Sequence, residues 1–365
     1  MLMVNQIRSP HNTRLIFPIV ADNTPSGGRK FIYHVVDILN ESGSDAWVAH
    51  PWKDFRLTWF SNTTRVGYTP ELFPKQRITG FKSALKYWNR KRCGRITISL
   101  DNSQLRPTFL TLRNSDIIVV PETRLPLLHE MPVRCKKIIL SQGPYLIFSQ
   151  NFSQNHPPMQ NFLRTDVLGI LVVSKLNYDV QKFIFPNIRI VEANLFIEEE
   201  FYYREMKKTQ IAYMPRRRQE DALAVLNMLR FRGEDIRIIP IDGMSQQEVA
   251  EVLGESLIFL SFANREGFGL PAAEAMACGC IVIGYSGNGG DEFFDPSYCF
   301  PIREGDLLGF VNAIEATLWR YRQEPESLNR MRMLASQVIR ERYSRERSKH
   351  SIVNAFQNLL EDVKG

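Results

Sequence analysis

Short apolar runs alternate with stretches of helical spacing along the chain, and this alternation constrains the fold more than any other feature. Residues 14–21 (RLIFPIVA), 46–50 (AWVAH), 117–121 (IIVVP), 137–141 (KIILS), 170–174 (ILVVS) and 188–192 (IRIVE) read as strands. Between the first two, residues 29–41 place Phe31, Val35, Val36, Ile38 and Leu39 at helical spacing. Strands buried on both faces read as continuous apolar runs, and connecting them through helices makes them parallel. A second series begins near residue 209, with strands at 211–214, 236–241, 257–262 and 281–283 and helices at 220–232, 246–253 and 271–278. The chain therefore reads as two doubly wound α/β domains in tandem, with a boundary within 194–203. Ligands of such sheets bind outside the carboxyl ends of the strands, so two facing domains would hold a ligand in a central cleft.

Length agrees, since 365 residues correspond to about two domains. A chain that is 44% hydrophobic and 23% charged is not mainly disordered, and its 20 Pro and 21 Gly lack a collagen-like period. The five cysteines, Cys93, Cys135, Cys278, Cys280 and Cys299, lack disulfide-like spacing, which suggests a reducing compartment. No apolar run reaches the length of about eighteen residues that a membrane span needs, and residues 1–10 lack the apolar core of a signal peptide. A cytoplasmic location is expected. The balance of 46 Lys and Arg against 39 Asp and Glu leaves only +7, too small a surplus to imply nucleic acid.

One segment, 52–107, departs from the alternation. Within it, residues 81–92 put Phe81, Leu85 and Trp88 on one helical face and Lys82, Lys86 and Arg90 near another, ending at Arg92. Two readings stand: a basic amphipathic element making peripheral contact with the inner membrane face or an anionic acceptor, and an ordinary solvated helix packing its aromatic stripe inward.

The stretch Arg265-Glu266-Gly267-Phe268-Gly269-Leu270-Pro271-Ala-Ala-Glu274 carries the chemistry. It follows an apolar strand and opens a helix, with Pro271 in the first turn, where proline is favoured. Gly267 and Gly269 let the backbone approach a ligand, and the exposed amides at a helix start form an anion site. Two carboxylates beside an anion site suit a ligand whose phosphates are flanked by hydroxyls, such as a nucleotide sugar.

Glu266 and Glu274, with seven residues between them that include Gly-Phe-Gly-Leu-Pro, resemble the signature of retaining GT-B glycosyltransferases, especially glycosyltransferase family 4, and bacterial exopolysaccharide-type members in particular. Gly287-Asn-Gly-Gly-Asp-Glu292 is similar to the family's next glycine loop, Ile190-Val-Glu-Ala-Asn-Leu-Phe196 to its interdomain segment, and Pro25-Ser-Gly27-Gly28-Arg29 to its first glycine-rich loop. The resemblance implies two Rossmann-like domains facing a central cleft. Residues 1–195 would form an acceptor-binding domain and 196–346 a donor-binding domain, with a last helix at about 347–365 packing back on the first.

By the same resemblance, Glu266 contacts sugar hydroxyls, Gly267 to Leu270 contact sugar and diphosphate, Glu274 holds the ribose, and Gly27 and Gly28 face the donor. The family's Arg and Lys pair that neutralises the diphosphate falls on Arg216, Arg217 and Arg218. Arg216 best matches the arginine, and Arg217 or Arg218 stands in for the lysine, with Arg216 and Arg218 expected beside Glu266 in catalysis and Arg217 in donor binding. Where relatives often carry a histidine near the sugar, Leu140-Ser-Gln142-Gly-Pro144 supplies Gln142, which can bond a hydroxyl but cannot act as a base. The six histidines show no metal-ligand spacing and no Asp-x-Asp triplet occurs, so neither metal nor cofactor is expected. Cys278 and Cys280 read as helix-end packing. The implied reaction moves a hexose, glucose from UDP-glucose before mannose from GDP-mannose, to a glycan or lipid-linked acceptor in polysaccharide synthesis. The alternative is a non-catalytic glycan-binding or assembly protein on the same fold.

Overall fold

The computed structural model describes residues 13–73, 108–131, 134–149 and 158–361. The stretch 81–92 and Cys93 lie outside the described residues. The chain divides into two units: residues 1–173, 177–193 and 349–365 form the first, and 174–176 with 194–348 the second.

In the first unit, β1 (Arg14–Pro18), β2 (Asp45–His50), β3 (Val66–Tyr68), β4 (Thr108–Phe109), β5 (Ile117–Pro121), β6 (Lys136–Ser141), β7 (Val167–Val172) and β8 (Ile190–Glu192) form one sheet. Its order is β4-β3-β2-β1-β5-β6-β7-β8, and every pairing is parallel. Helix α1 (Gly27–Glu41) joins β1 to β2, and α2 (Lys175–Ile184) joins β7 to β8. The strand expected over 14–21 ends at Pro18, and α1 starts two residues before the expected 29, with extended Ser26 as its N-cap. The two glycines of the loop therefore lie inside the first helical turn.

Buried ion pairs pin the amino ends of neighbouring strands. Arg14 at the start of β1 meets Asp116 just before β5 at 2.7 Å, and Lys137 in β6 meets Asp166 just before β7 at 2.7 Å. Such pairs contribute little net stability, because desolvation offsets much of their attraction, but they hold register. The carboxyl ends are left for other uses.

In the second unit, β9 (Lys208–Tyr213), β10 (Arg237–Pro240), β11 (Ser256–Phe262), β12 (Ile281–Tyr285) and β13 (Phe300–Pro301) form a parallel sheet of order β10-β9-β11-β12-β13. The connecting helices are α3 (Gln219–Phe231), α4 (Gln246–Glu255) and α5 (Leu270–Ala277). After β13 come α6 (Leu307–Gln323) and α7 (Pro325–Arg342), which the sequence patterns left unassigned, and then α8 (Arg345–Leu360). One face of the sheet packs Leu260, Ile283 and Tyr285 against Phe310 and Ile314 of α6, with Phe262 and Phe310 stacked at 4.8 Å.

From Lys349 onward α8 belongs to the first unit. There Ser351 Oγ donates to the Glu192 carbonyl at 3.2 Å, and Phe356 sits 6.1 Å from the Phe17 ring. Among the described residues, no helix is long and apolar enough to cross a membrane.

Candidate active site

Each sheet reverses its winding once, and the reversal marks where a ligand can enter. In the second unit the chain runs from β9 out to β10, returns across β9, and continues through β11 to β13. The switch point therefore lies between the carboxyl ends of β9 and β11. β9 ends into Met214-Pro-Arg216-Arg217-Arg218 and β11 ends into Ala263-Asn-Arg-Glu266. The arginine triplet and the Glu266 loop, far apart in sequence, meet there because of this strand order.

The loops at this edge are strained. Among the described residues, four non-glycines have a left-handed backbone, and three of them are Arg218 (φ 40°), Arg265 (φ 51°) and Asn288 (φ 67°). They occupy the loops after β9, β11 and β12. Each such residue costs on the order of 1–3 kcal/mol, and strain of this kind clusters at functional sites.

The three arginines have separate surroundings. Arg217 Nε lies 3.2 Å from Glu266 Oε1, with its own side chain largely exposed. Arg216 is exposed, and its charge also acts on Glu266. Burial pushes the Glu266 carboxyl above the usual carboxylate range, while Arg217 and then Arg216 pull it back. Arg218 turns inward instead. Its guanidinium lies 5.1 Å from the Tyr285 ring centroid, pairs with Glu304 and Asp221, and reaches Asn264 Oδ1 at 3.4 Å. Arg216 and Arg217 thus stand beside Glu266, and Arg218 braces the loop after β9 against the loop after β11.

Glu266 is held by backbone as well. Its N–H donates to the Gly287 carbonyl at 2.9 Å, and it forms an isolated parallel bridge with Asn288. Gly289 approaches so closely that a Cβ there would meet the Glu266 carbonyl oxygen at 2.5 Å and the Gly267 carbonyl carbon at 2.6 Å. The second glycine loop thus backs the first. The Phe268 side chain is buried, its ring 4.9 Å from Tyr343 and 5.1 Å from Phe293, so this residue offers a ligand only its backbone.

Gly269 (φ 100°) is the N-cap of α5 and supplies no side-chain cap, so the helix start keeps amides for an anion. Leu270 is the first helical residue and Pro271 occupies the first turn. α5 is buried along most of its length, and Glu274, 7% exposed, is its one acid. A buried carboxylate is costly, which sets Glu274 apart from the alanines around it. The far end of α5 is closed structurally: Lys207 Nζ donates to the Cys278 and Leu253 carbonyls at 2.8 Å each, and Cys280 Sγ to Leu253 O at 3.0 Å. Burial raises both thiols, which are packed as the helix-end reading expects.

The first unit has its own switch point, between β1 and β5. Gly27 and Gly28 open α1 beyond β1, and the Ser26 side chain makes no cap bond. Gln142 Nε2 donates to the Gly28 carbonyl at 2.8 Å, and a Cβ at residue 28 would meet Gln142 Oε1 at 2.7 Å. Sequence reasoning missed Glu122, the residue directly after β5, and likewise Asn264 and Glu304 around Arg218. Their positions follow from strand order and long-range packing. The only signal for Glu122 was an acid ending an apolar strand.

Residues 232–315 match the family model described as Glycosyl transferases group 1. An alpha-1,6-glucosyltransferase of Actinobacillus pleuropneumoniae serotype 7 (strain AP76) is 28% identical over 270 residues, which are 69% of this chain and 78% of that protein. Among solved structures, a mutant of S. aureus TarM in complex with fondaparinux, alpha-GlcNAc-glycerol and UDP aligns with TM-score 0.65 at 11% identity, covering 95% of this chain and 99% of that one. Sucrose-phosphate synthase from Thermosynechococcus elongatus aligns with TM-score 0.63 at 12% identity, covering 96% and 100%. Anabaena HepE in complex with UDP-glucose aligns with TM-score 0.57 at 12% identity, covering 96% and 99%. The fold is GT-B.

Proposed function

We propose that this glycosyltransferase of the GT-B type moves a hexose from a nucleoside diphosphate sugar to a hydroxyl of a glycan or lipid-linked acceptor, with retention at the anomeric carbon and without a metal ion. One observation carries the reading. At the switch point of the second unit, Glu266 stands beside Arg216 and Arg217, next to a helix start without a side-chain cap and one turn before the buried acid Glu274. Such a site offers carboxylate acceptors for hydroxyls and positive charge beside one of them, as a sugar, a diphosphate and a ribose demand.

In this reading the diphosphate lies at Arg216, Arg217 and the α5 amides, Glu266 orients the sugar, and Glu274 accepts from the ribose diol. As the bond from the anomeric carbon to the diphosphate oxygen breaks, negative charge grows on the leaving group. Preorganised arginines and amides stabilise that charge more in the transition state than in the bound donor. The acceptor oxygen bonds to the anomeric carbon from the face the leaving group departs, and its proton passes to the departing phosphate oxygen. No protein base is required, which suits a glutamine at residue 142. UDP-glucose is the favoured donor, supported by the similarity to an alpha-1,6-glucosyltransferase and to the HepE structure in complex with UDP-glucose. GDP-mannose is the alternative.

A nucleotide-sugar panel scored by thermal stabilisation, followed by donor hydrolysis with excess EDTA, tests the reading. Stabilisation by one donor and slow release of its nucleoside diphosphate in chelator are expected. Release abolished by EDTA and restored by magnesium or manganese overturns the metal-free mechanism. A panel in which no nucleotide sugar binds overturns the function.

A further inference from the structure

The first unit buries a carboxyl where an apolar side chain would cost less. Glu122 is 1% exposed, directly beyond β5 at the switch point of that sheet. Its Oε1 accepts from the Gln142 N–H at 2.7 Å and its Oε2 from Ser141 Oγ at 2.6 Å. Ser141 in turn accepts from Gln181 Nε2 at 2.9 Å, and Asn177 Nδ2 donates to the Ser141 carbonyl at 2.7 Å. Ser141, Asn177 and Gln181 are fully buried. This network lies beneath one residue, Gln142, whose half-buried side chain reaches the Gly28 carbonyl in the first turn of α1.

Burial pushes the Glu122 carboxyl up to about 8, against the pull of Ser141 and the Gln142 and Gly143 amides. A group this expensive is a poor choice for packing alone. Its two oxygens reach what no apolar residue could hold, the backbone of the Gln142 turn and the hydroxyl that ends β6.

We propose that Glu122 is a positioning residue: it holds the Gln142 turn from below, so that Gln142 is fixed against Gly28 and the end of β6 and the start of α1 present one preformed polar surface. This rests on the function proposed above, with that surface of the first unit on the acceptor side of the reaction. Glu122 touches neither substrate. It acts through Gln142.

Two measurements on the full chain test this independently. The first needs no activity: hydrogen exchange of the peptides covering 142–145 and 24–30 in Glu122→Ala and Glu122→Gln. Glu122→Ala should speed exchange in both, about tenfold or more for the Gln142 amide, whose buried acceptor is lost. Glu122→Gln, which keeps one oxygen acceptor, should restore most of the protection. Unchanged protection in Glu122→Ala overturns the proposal even if the chain proves an active glycosyltransferase. Should Glu122→Ala fail to fold, Glu122→Leu, which keeps the volume and removes both acceptors, replaces it, and protection at both peptides equal to the parent chain overturns the proposal.

The second measurement is kinetic. Glu122→Ala should lower kcat for transfer about tenfold or more and leave nucleoside diphosphate affinity within about twofold. Glu122→Gln should recover most of kcat, and the Glu122 substitution should cost little in a Gln142→Ala background, because coupled residues are not additive. Additive losses overturn the route through Gln142. If the parent chain binds no nucleotide sugar, the function falls and the exchange result alone decides the role of Glu122.

Discussion

Arg217 and Glu266 hold each other at 3.2 Å with the arginine 60% exposed. An ion pair this open to solvent is worth about 0–1 kcal/mol, so a ligand can take either partner from the other. Under the proposed function the pair is a resting arrangement, with Glu266 released to sugar hydroxyls and Arg217 to phosphate when a donor arrives. Under the proposed function, Glu266→Ala should impair turnover and leave nucleoside diphosphate affinity nearly unchanged, since Glu266 meets only the transferred sugar. Arg216→Ala should lower kcat about a hundredfold or more, the scale of losing one preorganised charge stabiliser, and weaken nucleotide binding by less. Kinetics with calorimetric affinities separates the two; identical profiles would refute the assignment of sugar and phosphate contacts. Glu122 makes a second residue-scale prediction. Its folded pKa, about 8, stands above the ordinary glutamate value, so between those values the folded state binds more protons than the unfolded. The stability it contributes is fully present below the unfolded value and is lost as pH rises through about 8. Melting temperatures across pH 6–9 should show the parent chain falling relative to Glu122→Gln, and a constant difference would show that Glu122 does not titrate there.

At the scale of elements, the loops matter more than the strands. The β11–α5 turn keeps its shape because its neighbour fills the space behind it: Gly289 lies against the Glu266 and Gly267 backbone, where a methyl group has no room. Backbone cannot swing aside as a long side chain can, so Gly289→Ala should cost about 1–3 kcal/mol of stability and displace the Glu266 loop. Thermal melts with nucleotide affinity measure both, and an unperturbed Gly289→Ala would show that the two loops are not packed as described. Much of this was legible in sequence. The glycines and Pro271 announce a strand, a tight turn and a helix start, because φ and the missing proline N–H act locally. That Phe268 turns inward to Phe293 and Tyr343 was not legible, since its partners are supplied by a distant loop and the end of α7.

For the whole molecule, the notable connection is the last helix. Lys349 and the residues after it belong to the first unit, where Ile352, Val353, Phe356, Leu359 and Leu360 are all buried. A single chain thus builds part of its first core from its final residues, and that core is complete only after the second unit has been made. Phe356→Ala should cost about 3–5 kcal/mol through lost packing and an incompletely collapsed cavity beside Phe17. Scanning calorimetry should show a lowered melting temperature while nucleoside diphosphate affinity, which the proposed function assigns to the second unit, stays unchanged. A melting temperature equal to that of the parent chain would mean α8 is not part of the first core.

The alternation of apolar runs and helical stretches, the turn glycines and the two glutamates around Gly-Phe-Gly-Leu-Pro were all determined by sequence. Each depends on periodicity or backbone freedom within a few residues, and local forces suffice to express them. Strand order was not determined that way. Whether β9 lies beside β11, and β5 beside β6, depends on which faces bury best once every strand exists, and that choice places Arg216 and Arg217 by Glu266 and Glu122 under Gln142. The same packing turned Arg218 toward Tyr285 and Glu304, although three adjacent arginines look alike in sequence. Tertiary structure decided which of them stand beside Glu266, because a side chain's partners are set by what the fold brings within a few ångströms of it.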